Sequence, residues 1–298
     1  MDPQCSKNIP GAKPEFLRSE TRNGPQVARL RGLLRAQHLH TVCEEAHCPN
    51  LGKCFKSGTS TFLILGKACT RSCQFCAVEK GVPLPVDPEE PGHLAETSKG
   101  LGLKHVVITS VTRDDLADGG AEQFYESVRA VKSLLPEASV EVLTPDFQGD
   151  LGAVSRVLAS GPSVYNHNLE TVPRLYGEVR PEADYKRSLS LLEFVRKSGA
   201  PATVKSGIMA GMGESKEEIA GLMKDLVSAG CQVLTIGQYL APSRKHWPVR
   251  KYYDPLEYEE LQKTGLELGL ELVFAGPLVR SSFNAGEVYA QLNGHRQL

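Results

Sequence analysis

The run CTRSCQFC, residues 69–76, sets Cys69, Cys73 and Cys76 with three residues and then two between them. Three thiolates at that spacing can hold a metal centre. A structural zinc ion closes its shell with four ligands, however, and neither cysteine nor histidine follows closely after Cys76. A cubic four-iron cluster held by three thiolates keeps one iron open, free to bind a substrate or cofactor as well as to carry an electron. A second trio, Cys43, Cys48 and Cys54, has the spacing C-x4-C-x5-C. Its simplest account is a second iron–sulfur cluster, again one protein ligand short. His47 stands inside this trio and reads equally as a structural histidine or as a ligand. The remaining cysteines, Cys5 and Cys231, read as a tail thiol and as a small buried apolar side chain.

Such loops need a scaffold to hold them. From residue 61 onward, short β-rich apolar runs alternate with amphipathic stretches, the pattern of βα units round a parallel sheet. The expected strands are residues 61–65, 105–109, 140–143, 164–168, 202–208, 233–237 and 271–276, and the clearest helices are 119–135, 188–199, 215–230 and 255–269. Ser215 stands three residues before Glu218, a capping box, while Gly199, Gly230 and Gly269 fall where helices should stop. The expected fold is therefore α/β, a partial (β/α)6-type TIM barrel, with functional groups at the carboxyl ends of its strands. The CTRSCQFC loop directly follows the first strand and so belongs at the barrel mouth. Residues 61–276 make the barrel, 1–60 an N-terminal extension that is helical around PQVARLRGLLRAQ, and 277–298 a tail. Both extensions are expected to pack at the mouth.

Composition narrows the field. With 298 residues, 41% hydrophobic, 23% charged and a net charge of -1, the chain has no overall field to draw nucleic acid or anionic lipid. No apolar run reaches membrane-spanning length, and the opening residues lack the pattern of a secretory signal. Cysteines crowded between residues 43 and 76 read as metal ligands in a reducing compartment, the cytoplasm or, for a processed precursor, an organelle matrix or stroma.

The C-x3-C-x2-C motif, with Phe75 before its last cysteine and placed after the first strand of a βα barrel, resembles the radical S-adenosylmethionine family. There the open iron is chelated by the amino and carboxylate groups of the methionine moiety, and an electron from the cluster releases a 5'-deoxyadenosyl radical. The second trio ahead of the first, together with Arg280, Ser281 and Ser282 near the chain end, resembles the lipoyl synthase family within it. The likeness continues through VTRDDLADGGA (111–121), YNHNLETVPRLY (165–176), KSGIMAGMGE (205–214) and LTIGQYLAPSRKHWPVRKY (234–252). It covers nearly everything after residue 40.

Alone, the Arg-Ser-Ser run reads as a solvated turn. The resemblance instead makes Ser282 the fourth ligand of the second cluster. It implies two [4Fe–4S] clusters, S-adenosylmethionine, and insertion of sulfur at carbons 6 and 8 of an octanoyl-lysine chain, with the second cluster as sulfur source. The implied partners are octanoylated lipoyl carrier domains, namely 2-oxoacid dehydrogenase E2 subunits and glycine cleavage H protein, and an electron donor such as ferredoxin or flavodoxin. Phe283 stands where the family more usually has tyrosine. Two rivals are a biotin-synthase-like sulfur insertase, which the second trio and Arg-Ser-Ser argue against, and a two-cluster electron-transfer protein.

Other residues are then expected round the mouth. Asp114, Gly119 and Gly120 follow the second strand, and Asn168 and Glu170 the fourth, so all are candidates to bind S-adenosylmethionine. A helix N-cap is the alternative for the Asp and Gly run. GIMAGMGE lacks the spacing and lysine of a phosphate-binding loop. Arg280 is expected to steady the serines or touch the substrate. Arg244, Lys245, His246, Arg250 and Lys251 read as solvated surface or as a docking rim for the carrier.

Overall fold

The computed structural model describes residues 12–18, 23–56 and 60–296; Cys5 lies outside them. Its strands are β1 (His40–Thr41), β2 (Thr61–Ile64), β3 (Ala68–Cys69), β4 (Glu79–Lys80), β5 (His105–Ser110), β6 (Ser139–Leu143), β7 (Val164–Asn166), β8 (Thr203–Ala210), β9 (Val233–Gln238) and β10 (Leu272–Gly276). The longer ones are rich in Val, Ile and Thr, which pack well on a pleated surface covered on both faces. Every residue of β2 and of β9 is buried. The helices are α1 (Pro25–Ala36), α2 (Val42–Glu45), α3 (Leu51–Lys56), α4 (Glu90–Gly100), α5 (Ala121–Leu134), α6 (Leu151–Ala159), α7 (Tyr176–Val179), α8 (Tyr185–Lys197), α9 (Lys216–Ser228), α10 (Pro255–Glu267) and α11 (Ala285–Arg296).

The main sheet runs β1-β2-β5-β6-β7-β8-β9-β10, parallel from β2 to β10, with β1 added antiparallel to the free edge of β2. Among the described residues β10 pairs only with β9, so the sheet stops short of closing and the barrel is partial, as expected. Helical crossovers return each strand to the same direction. This puts every strand-to-helix loop on one face.

The expected helices form as α5, α8, α9 and α10. The Ser215/Glu218 capping box closes reciprocally, and Gly199, Gly230 and Gly269 take left-handed φ of +75°, +77° and +112° after their helices. The strand expected over 61–65 ends at Ile64 because Leu65 turns to φ +70°, donating its N–H to the Glu90 carboxylate at 3.0 Å. Sequence periodicity missed α4 and α6. EPGHLAETSKG offers few apolar positions to mark a face, and LGAVSRVLA is short and apolar enough to read as a strand.

The two extensions meet along the open side of the sheet. Asn50 donates to the carbonyl of Leu278 at 2.6 Å, and the Lys53 ammonium lies 5.0 Å from the Phe283 ring centroid. The expectation that both pack at the mouth is corrected for the end of the tail. Residues 279–281 stand by Gly237 and Asn168 at the carboxyl ends of β9 and β7. The chain then runs down to α11, which crosses the opposite end of the barrel. There Val288 and Leu292 pack on Val233, the first residue of β9, and the Tyr289 ring sits 5.7 Å from His105, the first of β5. The apolar face of α11 needs cover, and the exposed starts of the strands supply it. No helix of the described residues is long and apolar enough to cross a membrane.

Candidate active site: two cysteine trios on one cavity

The CTRSCQFC loop is pinned by backbone bonds on several sides. Its first cysteine lies on β3, laddered to β4, and the Thr112 N–H points at Cys69 Sγ from 3.3 Å. Thr70 N–H bonds the Thr112 carbonyl at 3.1 Å and Gln74 N–H the Val179 carbonyl at 2.9 Å. From the loop after β9, Trp247 N–H bonds the Gln74 carbonyl at 2.9 Å, and His246 Nε2 lies 3.2 Å from the Cys76 carbonyl. His246 of the basic run, with its neighbour Trp247, thus braces the cysteine loop. Lys251 is paired with Glu257 at 2.7 Å, while Arg244 and Lys245 are exposed.

Burial pushes the Cys76 thiol up to about 12 and also raises Cys73, against the lowering pull of the Arg180 cation. In the second trio burial raises Cys43, and Cys48 and Cys54 add to the effect. None of the six is in a disulfide. Thiols this deep and this close together are poor anions by themselves, and a cationic metal centre removes both penalties. Among the described residues no three Cys, His or carboxylate side chains close round a single ion. A four-iron cube is wider than an ion and suits thiolates spread in this way, so the donor sets fit the clusters expected of them.

Both trios line one cavity of about 870 Å³ that also takes in Arg280, Ser281 and Ser282. The tail reaches it because Gly237 has no side chain: a Cβ there would overlap the Val279 carbonyl. The Arg280 guanidinium is half-buried, NH1 donating to the Val279 carbonyl at 2.6 Å. Burial lowers its pKa, against the pull of Cys48, Tyr258 and Glu170. Of the two serines, Ser281 accepts from Asn168 Nδ2 at 3.3 Å, while Ser282 faces the same cavity as the second trio.

Asn168 and Glu170 stand in the cavity wall as expected. Asn168 Nδ2 donates to Glu170 Oε1 at 3.0 Å, and Asn168 Oδ1 is buried with no partner. Glu170 sits at φ +65°, a strained angle for glutamate, held by bonds from its N–H to the Gly207 carbonyl (3.0 Å) and from Met209 N–H to its own carbonyl (2.9 Å). Burial raises its pKa, against Arg180. His167, between strand and site, is locked by Thr144 O at 2.9 Å and Ser188 Oγ at 3.0 Å, and burial followed by the Arg180 charge pushes it down to about 4.

The run after β5 is where the expectation fails. Asp114, Gly119 and Gly120 do not line the cavity. Both Asp114 oxygens are taken by Arg71, at 2.6 and 2.9 Å. Gly120, at φ +89°, leaves room for Leu65, and Gly119, at φ +60°, for Phe147. The run is a helix cap after all: Asp118 accepts the N–H groups of Gly120 and Glu122 at 2.9 and 2.8 Å.

Sequence reasoning missed Arg180. Its NH1 donates to the carbonyls of Asn168 and Leu169 at 3.1 and 3.0 Å, and its Nε is buried with no partner. A lone arginine before proline carried no motif. Arg71 and Asp146 were missed too, although Arg71 stands inside the cysteine motif.

Residues 63–226 match the model of the radical SAM superfamily. A lipoyl synthase of Syntrophotalea carbinolica is 52% identical over 275 residues, covering 92% of this chain and 89% of its own length. One from Acidithiobacillus ferrooxidans is 50% identical over 293 residues, covering 98% and 92%. Among solved structures, a maturase of the [FeFe]-hydrogenase aligns with a TM-score of 0.58 at 13% identity over 77% of this chain and 54% of its own. Methylornithine synthase aligns at 0.51 and 16% over 74% and 72%. At such identities the structures speak for the fold alone.

Proposed function

This chain belongs to the lipoyl synthase family of radical S-adenosylmethionine enzymes, and on that premise we propose how its residues divide the work of sulfur insertion. The reaction places two sulfur atoms, at carbons 6 and 8, on a protein-bound octanoyl chain. Those carbons are unactivated, and acid–base help worth about 10²–10⁴-fold cannot take a proton from them. When bound, a [4Fe–4S] cluster with S-adenosylmethionine supplies the hydrogen-abstracting radical and a second cluster supplies the sulfur.

In this reading Cys69, Cys73 and Cys76 hold the first cluster, and Cys43, Cys48, Cys54 and Ser282 the second. The unpaired Oδ1 of Asn168 and the carboxyl of Glu170 accept hydrogen bonds from S-adenosylmethionine, whose ribose and ammonium offer donors. Arg180, whose Nε is buried without a partner, draws Cys73 toward the thiolate and meets a carboxylate. Leu63, Val107, Leu143, Ile208 and Tyr239 give the cavity an apolar wall for an eight-carbon chain. Arg280, which shares the cavity wall with Cys48 and Glu170, keeps the serines facing both halves.

The observation that carries the proposal is that both trios and Ser282 open on a single cavity, so a chain held there meets radical source and sulfur source in one enclosure. The partners are octanoylated carrier domains of the E2 and H-protein kind, with a ferredoxin or flavodoxin as electron donor. The test is anaerobic mass spectrometry of an octanoyl-lysyl peptide incubated with reconstituted protein, S-adenosylmethionine and reductant. A gain of two sulfur atoms, with two fewer hydrogens once the dithiol closes, is expected. Deoxyadenosine without sulfur on the peptide would overturn the substrate assignment.

A further inference from the structure

An arginine stands between the first two cysteines of the CTRSCQFC loop, and it is not free. Arg71 is 5% exposed. Its Nε and NH2 grip the two oxygens of Asp114 at 2.6 and 2.9 Å, and NH2 also reaches Oδ1 of Asp146 at 2.6 Å. Asp146, 1% exposed, turns its other oxygen to Arg187 Nε on α8 at 2.8 Å and also accepts the Gln148 N–H at 3.1 Å. Two cations face two carboxylates, so the group is neutral as a whole. It ties together the loop after β2, the loops after β5 and β6, and the start of α8. Arg71 and Asp146 form part of the cavity wall beside the cysteines.

A guanidinium suits this place because it offers several donors in one rigid plane, matching two carboxylates at once. An ammonium brings equal charge but no fork. The neighbouring backbone bond from Asp114 N–H to Thr70 Oγ1, at 3.1 Å, shows the same loop gripped a second time within two residues of Cys69. Removing a group that orients metal ligands from behind typically costs about 10–100-fold in metal affinity or activity.

We propose that Arg71 is a positioning residue for the open-iron cluster: forked onto Asp114 and Asp146, it sets the relative placement of Cys69 and Cys73 and so the geometry in which the open iron receives S-adenosylmethionine. This rests on the radical reading of the three-cysteine loop. It also gives Asp114 a role other than cofactor binding.

The experiment compares wild type, Arg71→Lys and Asp114→Asn as full-length, cluster-loaded proteins. Arg71→Lys keeps the charge and loses the fork. Its circular dichroism and the spectrum of the second cluster stay as in wild type. The reduced loop cluster loses or broadens the change in its electron paramagnetic resonance signal on adding S-adenosylmethionine, iron leaves that cluster to a chelator about tenfold faster, and more deoxyadenosine forms per sulfur inserted. KM for the octanoyl substrate is unchanged. Asp114→Asn, at a less buried position, shows the same signature more weakly, and the double variant is no worse than Arg71→Lys alone. If Arg71→Lys fails to fold, Asp114→Asn decides the matter by the same readouts. A wild-type protein without a cluster that responds to S-adenosylmethionine would remove the radical reading and this proposal together. A normal wild-type response that is equally normal in both variants would remove this proposal alone.

Discussion

Asn50, in the N-terminal extension, donates its side-chain amide to the backbone carbonyl of Leu278, at the start of the tail, over 2.6 Å. The bond spans the open side of the barrel, and on its two flanks lie the cysteines and the serine assigned to one cluster. Asn50 is buried, so Asn50→Ala leaves a carbonyl unsatisfied at a cost of about 1–3 kcal/mol. The expected outcome is a melting temperature lower by several degrees and a second cluster that loses iron sooner, with cleavage of S-adenosylmethionine retained. Equal loss of both activities would place Asn50 in the general fold and not at the seam.

Gly237 is the point where the tail passes closest to the sheet. In Gly237→Ala the new methyl overlaps the Val279 carbonyl, and the tail must shift. Displacement of this size is expected to cut sulfur insertion by about a hundredfold while deoxyadenosine continues to form. Product analysis under single-turnover conditions reads both at once.

His167 makes stability depend on pH. Its pKa in the folded chain, about 4, lies below its ordinary 6.5 because burial and Arg180 oppose its charge. The unfolded chain therefore takes up a proton on this residue while the folded chain does not. The stabilisation is complete above the ordinary value and is lost as pH falls toward 4, amounting to roughly 3 kcal/mol across that window. Urea midpoints should fall as pH is lowered from about 7.5 to about 5, and the imidazole resonance should stay neutral throughout. An imidazole that titrates near 6.5 would contradict the buried, doubly bonded geometry.

In the ligand set proposed for the second cluster, Ser282 offers a hard oxygen beside three thiolates. An oxygen donor on one iron is easier to lose as a cluster is dismantled than a sulfur donor is. Ser282→Cys should still load iron but release less sulfur to substrate. Full sulfur insertion by that variant would end the labile-ligand idea.

Arg244 and Lys245 are the exposed cations of a loop whose neighbours His246 and Trp247 brace the cysteine loop. Reversing both charges should raise KM for an octanoylated carrier domain but not for a short octanoyl-lysyl peptide, and should weaken the salt dependence of carrier binding. Equal effects on domain and peptide would point to a disturbed brace instead.

Much of this protein was legible in its sequence because the signals are local. Ligand spacing within eight residues marked Cys69, Cys73 and Cys76. Alternation of β-rich and amphipathic runs marked the barrel, and cap residues marked helix ends such as Ser215 and Gly230. The resemblance singled out Ser282, which spacing alone leaves in a solvated turn, and its part as a ligand is a proposal. Tertiary structure decided what depends on distant partners. It gathered Cys43, Cys76 and Ser282 round one cavity. It took Asp114 from the expected cofactor contacts and gave it to Arg71, because a buried guanidinium must find carboxylates wherever the chain brings them. It turned Gly119 and Gly120 to packing, raised Arg180 from an unmarked residue to a buried cation beside Cys73, and sent α11 to the far end of the barrel, where strand starts stood uncovered. Periodicity and spacing report what a residue can do with its near neighbours; burial and pairing with residues far along the chain decide which of those capacities it uses.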